Sequence, residues 1–186
     1  KGVEALLQLG DSQNLDANDQ HIVKLVDWVL QFAFEQGASD IHLEPRKDNG
    51  KVRFRIDGVL HTIYNMPANT LTAVISRIKI LGRMNVAEKR KPQDGRLKTR
   101  TPKGQETELR LSTLPTAFGE KLVMRIFDPE VLVRSFQQLG FEGHLLSDWQ
   151  ALTSHSHGII LVTGPTGSGK TTTLYSSLKQ LATEQV

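Results

Sequence analysis

Gly164-Pro165-Thr166-Gly167-Ser168-Gly169-Lys170-Thr171 fits the phosphate-binding pattern G-x-x-x-x-G-K-[ST] at every fixed position. Just upstream, Gly158-Ile159-Ile160-Leu161-Val162-Thr163 is an apolar run that reads as a buried parallel strand. Just downstream, Thr172 to Leu181 reads as a helix. Strand, glycine loop and helix are the setting this motif needs. Glycines at 164, 167 and 169 allow positive φ and put no side chain between the backbone and a phosphate. Successive N–H groups can then turn inward as an anion nest, and the helix N-terminus adds its dipole. In this arrangement Lys170 is placed to reach the β- and γ-phosphates of a nucleoside triphosphate and Thr171 to ligate Mg²⁺. Pro165, Thr166, Ser168 and Thr172 complete the stretch expected to wrap the nucleotide. The plain alternative is a Gly/Ser turn before a helix, and the flanking elements argue against it.

The remaining composition is that of an ordinary globular chain. Of 186 residues, 38% are hydrophobic, 23% charged and 6% aromatic. No apolar run is long enough to span a bilayer, and the longest candidate, 25–34, is interrupted by Asp27 and Gln31. No signal peptide is visible, although the chain begins at Lys1, which leaves room for an upstream segment. The absence of cysteine excludes disulfides and cysteine-based zinc sites within these residues. The net charge is only +3, but between Arg77 and Lys103 the acids are Glu88 and Asp94 alone, against a long run of lysines and arginines. Such a cluster points to an anionic partner.

Residues 1–18 read as a polar lead-in. Asn18 or Asp19 can cap a helix whose apolar positions Ile22, Leu25, Val26, Val29, Leu30, Ala33 and Phe34 recur at helical spacing as far as Gly37. Residues 39–45 alternate as a half-buried strand closed by Pro45, with His42 and Glu44 on one solvated or hydrogen-bonded face; a metal there is the less favoured reading. Asp57-Gly58 between two alternating runs predicts a hairpin. A second helical stripe runs from Leu71 to Met84 and a basic loop from Asn85 to Gly95. A second hairpin turns around residues 101–104, and a further strand covers 121–127. Residues 19–127 therefore read as an α+β domain, 128–138 as a linker, and 139–186 as the first part of a P-loop domain that opens with a helix over 142–153. His155 and His157 lie in a polar loop and make a poor metal pair.

Several motifs occur together and in a fixed order: Ala38-Ser39-Asp40-Ile41-His42-Leu43-Glu44-Pro45, Arg53-Phe54-Arg55-Ile56-Asp57-Gly58, Lys89-Arg90-Lys91-Pro92-Gln93-Asp94-Gly95-Arg96, and Arg110-Leu111-Ser112-Thr113-Leu114-Pro115. Gly119-Glu120-Lys121, Met124-Arg125, Leu139-Gly140-Phe141 and the P-loop complete the series. Over about Asp19 to Leu181 the chain resembles the ATPases of type II secretion and type IV pilus assembly. The resemblance implies a PAS-like N-terminal α+β domain joined to a RecA-like α/β domain, of which only the start is present. It implies a hexameric motor on the cytoplasmic face of the bacterial inner membrane, peripheral to the membrane and working with inner-membrane platform proteins. It also implies ATP and Mg²⁺ at the P-loop, with arginines from the N-terminal domain closing over the phosphates. By position those are Arg96 and Arg110, with Arg125 as a third candidate. Arginine suits the role because it stays charged and forks onto phosphate oxygens.

The family's acidic boxes, histidine box and tetracysteine zinc site are expected beyond Val186. These residues alone are therefore expected to dock phosphate but to hydrolyse ATP poorly or not at all. Three other readings remain open at this level. One is a retraction- or conjugation-type motor. Another is a non-catalytic module docking to an inner-membrane component. The third is nucleic-acid binding through the 77–103 cluster, which lacks the interleaved aromatics of a single-strand platform and is not expected.

Overall fold

A computed structural model describes residues 16–127 and 134–185, the side chains of 183–185 excepted. The chain divides into two units, one ending at Phe127 and the other beginning at Asp128.

In the first unit, helix α1 (Gln20–Glu35) buries Ile22, Leu25, Val26, Val29, Leu30 and Ala33, the stripe that recurs every three to four residues. Asp19 stands at its N-cap position, but its carboxylate accepts from the Asp16 N–H at 2.8 Å instead of capping the helix. Strands β1 (Asp40–Pro45), β2 (Asn49–Ile56) and β3 (Val59–Pro67) form a meander. Its second turn is Asp57-Gly58, with φ of 48° and 83°, the two positive values a tight two-residue hairpin requires. Helix α2 (Ala68–Leu81) follows, then β4 (Gln93–Arg100), β5 (Glu106–Thr116) and β6 (Gly119–Phe127). The six strands form one sheet in the order β3-β2-β1-β6-β5-β4, antiparallel throughout. Two local meanders thus meet at the long-range pair β1–β6.

One face of this sheet is apolar. Leu111, Met124, Ile41 and Phe54 lie directly opposite one another across β5, β6, β1 and β2, and all are buried. Together with Leu109, Leu122, Leu43 and Val52 they form a single core with the buried stripes of α1 and α2. Trp28 and Phe32 stack at 5.2 Å, with Tyr64 edge-on to Trp28 at 5.3 Å, which seals α1 against β3. Gly95 sits where α2 ends: a Cβ there would meet Met84 Cγ at 2.7 Å and the Gly82 carbonyl oxygen at 3.0 Å. The glycine of the Asp94-Gly95-Arg96 stretch therefore serves a close approach in the core, and Arg96 is carried on the strand that this approach fixes.

The opposite face is charged. The sequence leaves the outer face of β1 either solvated or hydrogen-bonded, and the second alternative holds: Asp40 and Glu44 are buried, at 3% and 7% exposure. The reason is β1's central position, where arginine and lysine side chains from β2 and β6 fold over both carboxylates.

In the second unit, α3 (His144–Thr153) and α4 (Lys170–Gln185) are joined by a hydrogen bond from Trp149 Nε1 to Ser177 Oγ at 3.1 Å. Phe136, Phe141 and Trp149 form an edge-to-face aromatic chain. The Ser176 hydroxyl donates to the Arg134 carbonyl at 2.8 Å. The expected lead-in and linker fall partly on residues 1–15 and 128–133, outside the described residues; 134–138 are packed within the second unit.

One expectation fails in this unit. Residues 158–163 are not a strand, and Ile159 and Leu161 are 91% and 84% exposed. A parallel strand needs neighbours to hydrogen-bond with, and among the described residues none pairs with this run. The helix expected over 142–153 forms as α3; none of its residues is fully buried, and Leu145 and Leu152 are more than half exposed.

Candidate functional site

The P-loop takes the conformation its glycines permit. Gly167 and Gly169 have φ of 78° and 94°, values that a side-chain-bearing residue reaches only under strain. Ser168 closes the turn: its N–H donates to the Pro165 carbonyl at 3.3 Å and its hydroxyl to the same oxygen at 2.7 Å. A Cβ on Gly164 would meet that hydroxyl at 2.7 Å, so the loop narrows only around glycine. Helix α4 begins at Lys170, and its first internal bond runs from the Thr173 N–H to the Gly169 carbonyl at 2.9 Å. The N–H groups of Lys170, Thr171 and Thr172 precede that bond and are available to an anion, with the helix dipole behind them.

The Lys170 ammonium donates to the carbonyls of Gly164 and Pro165 at 2.6 and 2.7 Å. These are the loop's own oxygens, so the side chain folds back onto the loop that precedes its helix. Thr171 is exposed, with its hydroxyl accessible to a hydrated cation, whereas Thr172 is buried and contributes its backbone. The residues present fit a nucleotide triphosphate with Mg²⁺: Lys170 and the loop N–H groups for phosphate, Thr171 for the metal.

In the first unit, the three arginines singled out in the sequence fall into one line. Arg96 on β4 is directly opposite Arg110 on β5, and Arg110 is directly opposite Arg125 on β6. All lie on the charged face, because their neighbours Leu97, Leu109, Leu111 and Met124 point into the core. Arg96 approaches Glu108 at 3.6 Å, with the arginine side chain 70% exposed. Among the described residues Arg110 is exposed and has no ion-pair partner. Three cations side by side repel, and an anion laid across them would relieve that repulsion.

The same row continues beyond Arg125 to Asp40 on β1 and Arg55 on β2. The sequence reading does not find either residue as part of the site. Asp40 is identifiable only through the long-range β1–β6 pairing, which no local pattern encodes.

Around Glu44 the charges are arranged differently. Its carboxylate takes Arg46 at 3.0 Å, Lys121 at 3.2 Å and Arg53 at 3.5 Å, with His42 Nδ1 at 3.8 Å. Burial pushes the Glu44 pKa up, but the hydrogen bond from Lys121 and the charges of Lys121, Arg53 and Arg46 outweigh it and hold the group below its ordinary value. Burial, and next the Lys121 charge, lower the His42 pKa. A carboxylate already matched by three cations is poorly disposed to a divalent metal. Among the described residues no cluster of histidine and carboxylate ligands is arranged to hold one.

Lys79 is fully buried on α2, although it lies in the basic cluster that reads as surface in the sequence. Its ammonium contacts both Glu120 oxygens at 2.8 and 2.9 Å and the Glu88 carbonyl at 2.8 Å. Gln93 bonds the same carbonyl and the backbone of Asn85. The loop that precedes Arg96 is thus clamped from inside, while Arg90 at its crest is almost wholly exposed.

Comparison with known proteins adds the following. Over 186 residues the chain is 89% identical to a type IV pilus assembly ATPase, TfpB, of Acinetobacter baylyi, covering 100% of this chain and 32% of that protein. It is 51% identical over 170 residues to type II secretion system protein E of Xanthomonas campestris, covering 91% of this chain and 30% of that one. Among solved structures, the ATPase DotB of Yersinia pseudotuberculosis shares the fold at a TM-score of 0.63 and 21% identity, over 90% of this chain and 44% of that one. The chain spans roughly a third of the length of the two curated relatives, at 32% and 30%. No helix among the described residues is long and apolar enough to cross a membrane. The sequence profile described as "Type II/IV secretion system protein" matches residues 16–186, and the chain belongs to that family.

Proposed function

We propose that the full-length protein is an ATP-hydrolysing motor subunit that powers type IV pilus assembly or type II protein secretion, and that this chain supplies its P-loop and its phosphate-reaching arginines. The first unit is read as the family's PAS-like domain and the second as the start of its RecA-like domain. The supporting observation is the pairing of two anion sites of different kinds. One is the backbone cradle of residues 164–172, with Lys170 hydrogen-bonded to its first two carbonyls. The other is the line Arg96–Arg110–Arg125 on the charged sheet face.

Bound MgATP supplies the labile γ-phosphoryl group. The loop N–H groups and Lys170 hold its phosphates, Lys170 exchanging its two carbonyl partners for phosphate oxygens. Thr171 offers its hydroxyl to the metal. Arg96 and Arg110 approach the phosphates in the working motor and stabilise the charge that builds there. Binding energy from these arginines can drive one unit towards the other, which is how a motor of this class would convert nucleotide binding into movement. The motor is proposed to be a hexamer, peripheral to the inner membrane on its cytoplasmic side and docked to platform proteins there.

The test is Lys170→Ala in the full-length protein. ATP turnover is expected to fall by about a hundredfold or more, as when a main source of transition-state charge stabilisation is removed. Turnover at the wild-type level would sink the assignment.

A further inference from the structure

The arginine row is interrupted by one carboxylate, and its surroundings are specific. Asp40 is central in the sheet, and its side chain is 4% exposed. Oδ1 accepts from Arg125 Nε at 3.1 Å. Oδ2 accepts from the Ser39 hydroxyl at 2.8 Å and faces Arg55 Nε at 3.5 Å. Both oxygens are therefore committed, one to each side of the row.

The two arginines are not equivalent. Arg55 is 21% exposed, and its Nη1 donates to the Gly58 carbonyl at 3.0 Å, which ties it to the β2–β3 turn. It is a buttress. Arg125 is 61% exposed. Asp40 engages the inner, Nε edge of its guanidinium, and directly beside it in the row stands Arg110. Neighbouring strands lie about 4.8 Å apart, so Arg96, Arg110 and Arg125 together extend over roughly 10 Å. That length accommodates more than one phosphate group of a polyphosphate chain.

We propose that Asp40 is the positioning residue of this row: it fixes Arg125 beside Arg110 and offsets the repulsion among the three cations, so that Arg125 is the third phosphate-binding arginine. The inference rests on the nucleotide-binding role proposed above for Arg96 and Arg110. A flexible arginine loses rotamer entropy when a phosphate arrests it, whereas one already held at Nε loses less and keeps its terminal nitrogens for the ligand. Asp40 itself does not touch the nucleotide. It acts through Arg125.

The experiment uses the full-length oligomeric protein and a fluorescent ATP analogue, with steady-state turnover measured in parallel. Arg125→Ala and Asp40→Asn are each expected to weaken analogue binding about tenfold, the size of one charge-assisted hydrogen bond, and to raise KM more than they lower kcat. The double variant is expected to be no weaker than the weaker single, because the two changes remove one shared interaction. Full additivity would show that Asp40 does not act through Arg125 and would overturn the proposal. Arg125→Ala alters an exposed side chain, so it remains informative if Asp40→Asn fails to fold; unchanged binding in that variant overturns the proposal by itself. Arg96→Ala/Arg110→Ala separates the two levels. If that variant loses affinity while Arg125→Ala does not, only the positioning role falls. If neither loses affinity, the nucleotide role of the sheet face falls with it.

Discussion

At the scale of single residues, Glu44 shows how a charge can stabilise a sheet face that carries an excess of the opposite sign. The folded-state pKa of Glu44 lies below the ordinary 4.5, with Lys121, Arg53 and Arg46 prevailing over burial. That of His42 lies below the ordinary 6.5, with burial the first cause and Lys121 the second. In both cases the unfolded chain binds the proton more readily, so stability rises with pH. The His42 contribution is complete above pH 6.5 and is lost as pH falls towards its folded value. The Glu44 contribution is complete above pH 4.5 and is lost below it. Glu44→Gln is therefore expected to cost about 2 kcal/mol at neutral pH, as for a buried hydrogen bond to a charge. The gap to wild type should close as the pH drops below 4.5. Urea denaturation of both proteins at a series of pH values measures this; a gap of the same size at the acid end would show that the carboxylate charge is not what stabilises the site.

Among the elements, α2 and the loop after it illustrate what a local reading can and cannot recover. The stripe Leu71, Val74, Ile75 and Ile78 is legible as a helix, and these residues are buried in α2. Lys79, next to that stripe, reads as one more surface cation, yet it is buried against Glu120, which lies 41 residues away. The β1–β6 pairing that makes Asp40 a neighbour of Arg125 spans 85 residues. Hairpins are written in their turn residues; the union of two meanders is decided by how two apolar faces share one core. The glycine-rich motif of 164–171 is a run of consecutive residues and is legible in the sequence. The line Arg96–Arg110–Arg125 depends on strand register and is not legible there as a row. Breaking the internal clamp should have a large effect. Lys79→Ala leaves the Glu120 carboxylate buried and unpaired, and a loss of roughly 3–5 kcal/mol is expected. Lys79→Met/Glu120→Leu removes both charges and should be far milder. Thermal or urea unfolding compares them, and equal losses would mean that packing volume, not the uncompensated charge, sets the cost.

For the whole molecule, the two units differ in how completely they bury their own apolar surface. The first closes a core between one sheet face and two helices. The second leaves Ile159, Leu161, Leu145, Leu152 and Leu178 more than half exposed. Burying one such side chain is worth about 1.5–3 kcal/mol, so the run before the P-loop gains much from any strand that pairs beside it. The β-branched and apolar composition of Ile159-Ile160-Leu161-Val162 is that of a strand buried on both faces, and the relatives of this chain are about three times its length. A strand at 159–162 therefore requires a pairing partner that the described residues do not supply, and amide hydrogen exchange can examine it. In the 186-residue chain, the amides of 159–162 are expected to exchange at rates close to those of an unstructured peptide, while those of β1 and β6 exchange orders of magnitude more slowly. In the full-length protein the same four amides are expected to become as protected as β1. If they exchange as fast there as in the shorter chain, the run is not a sheet strand, and the P-loop is supported by its helix alone.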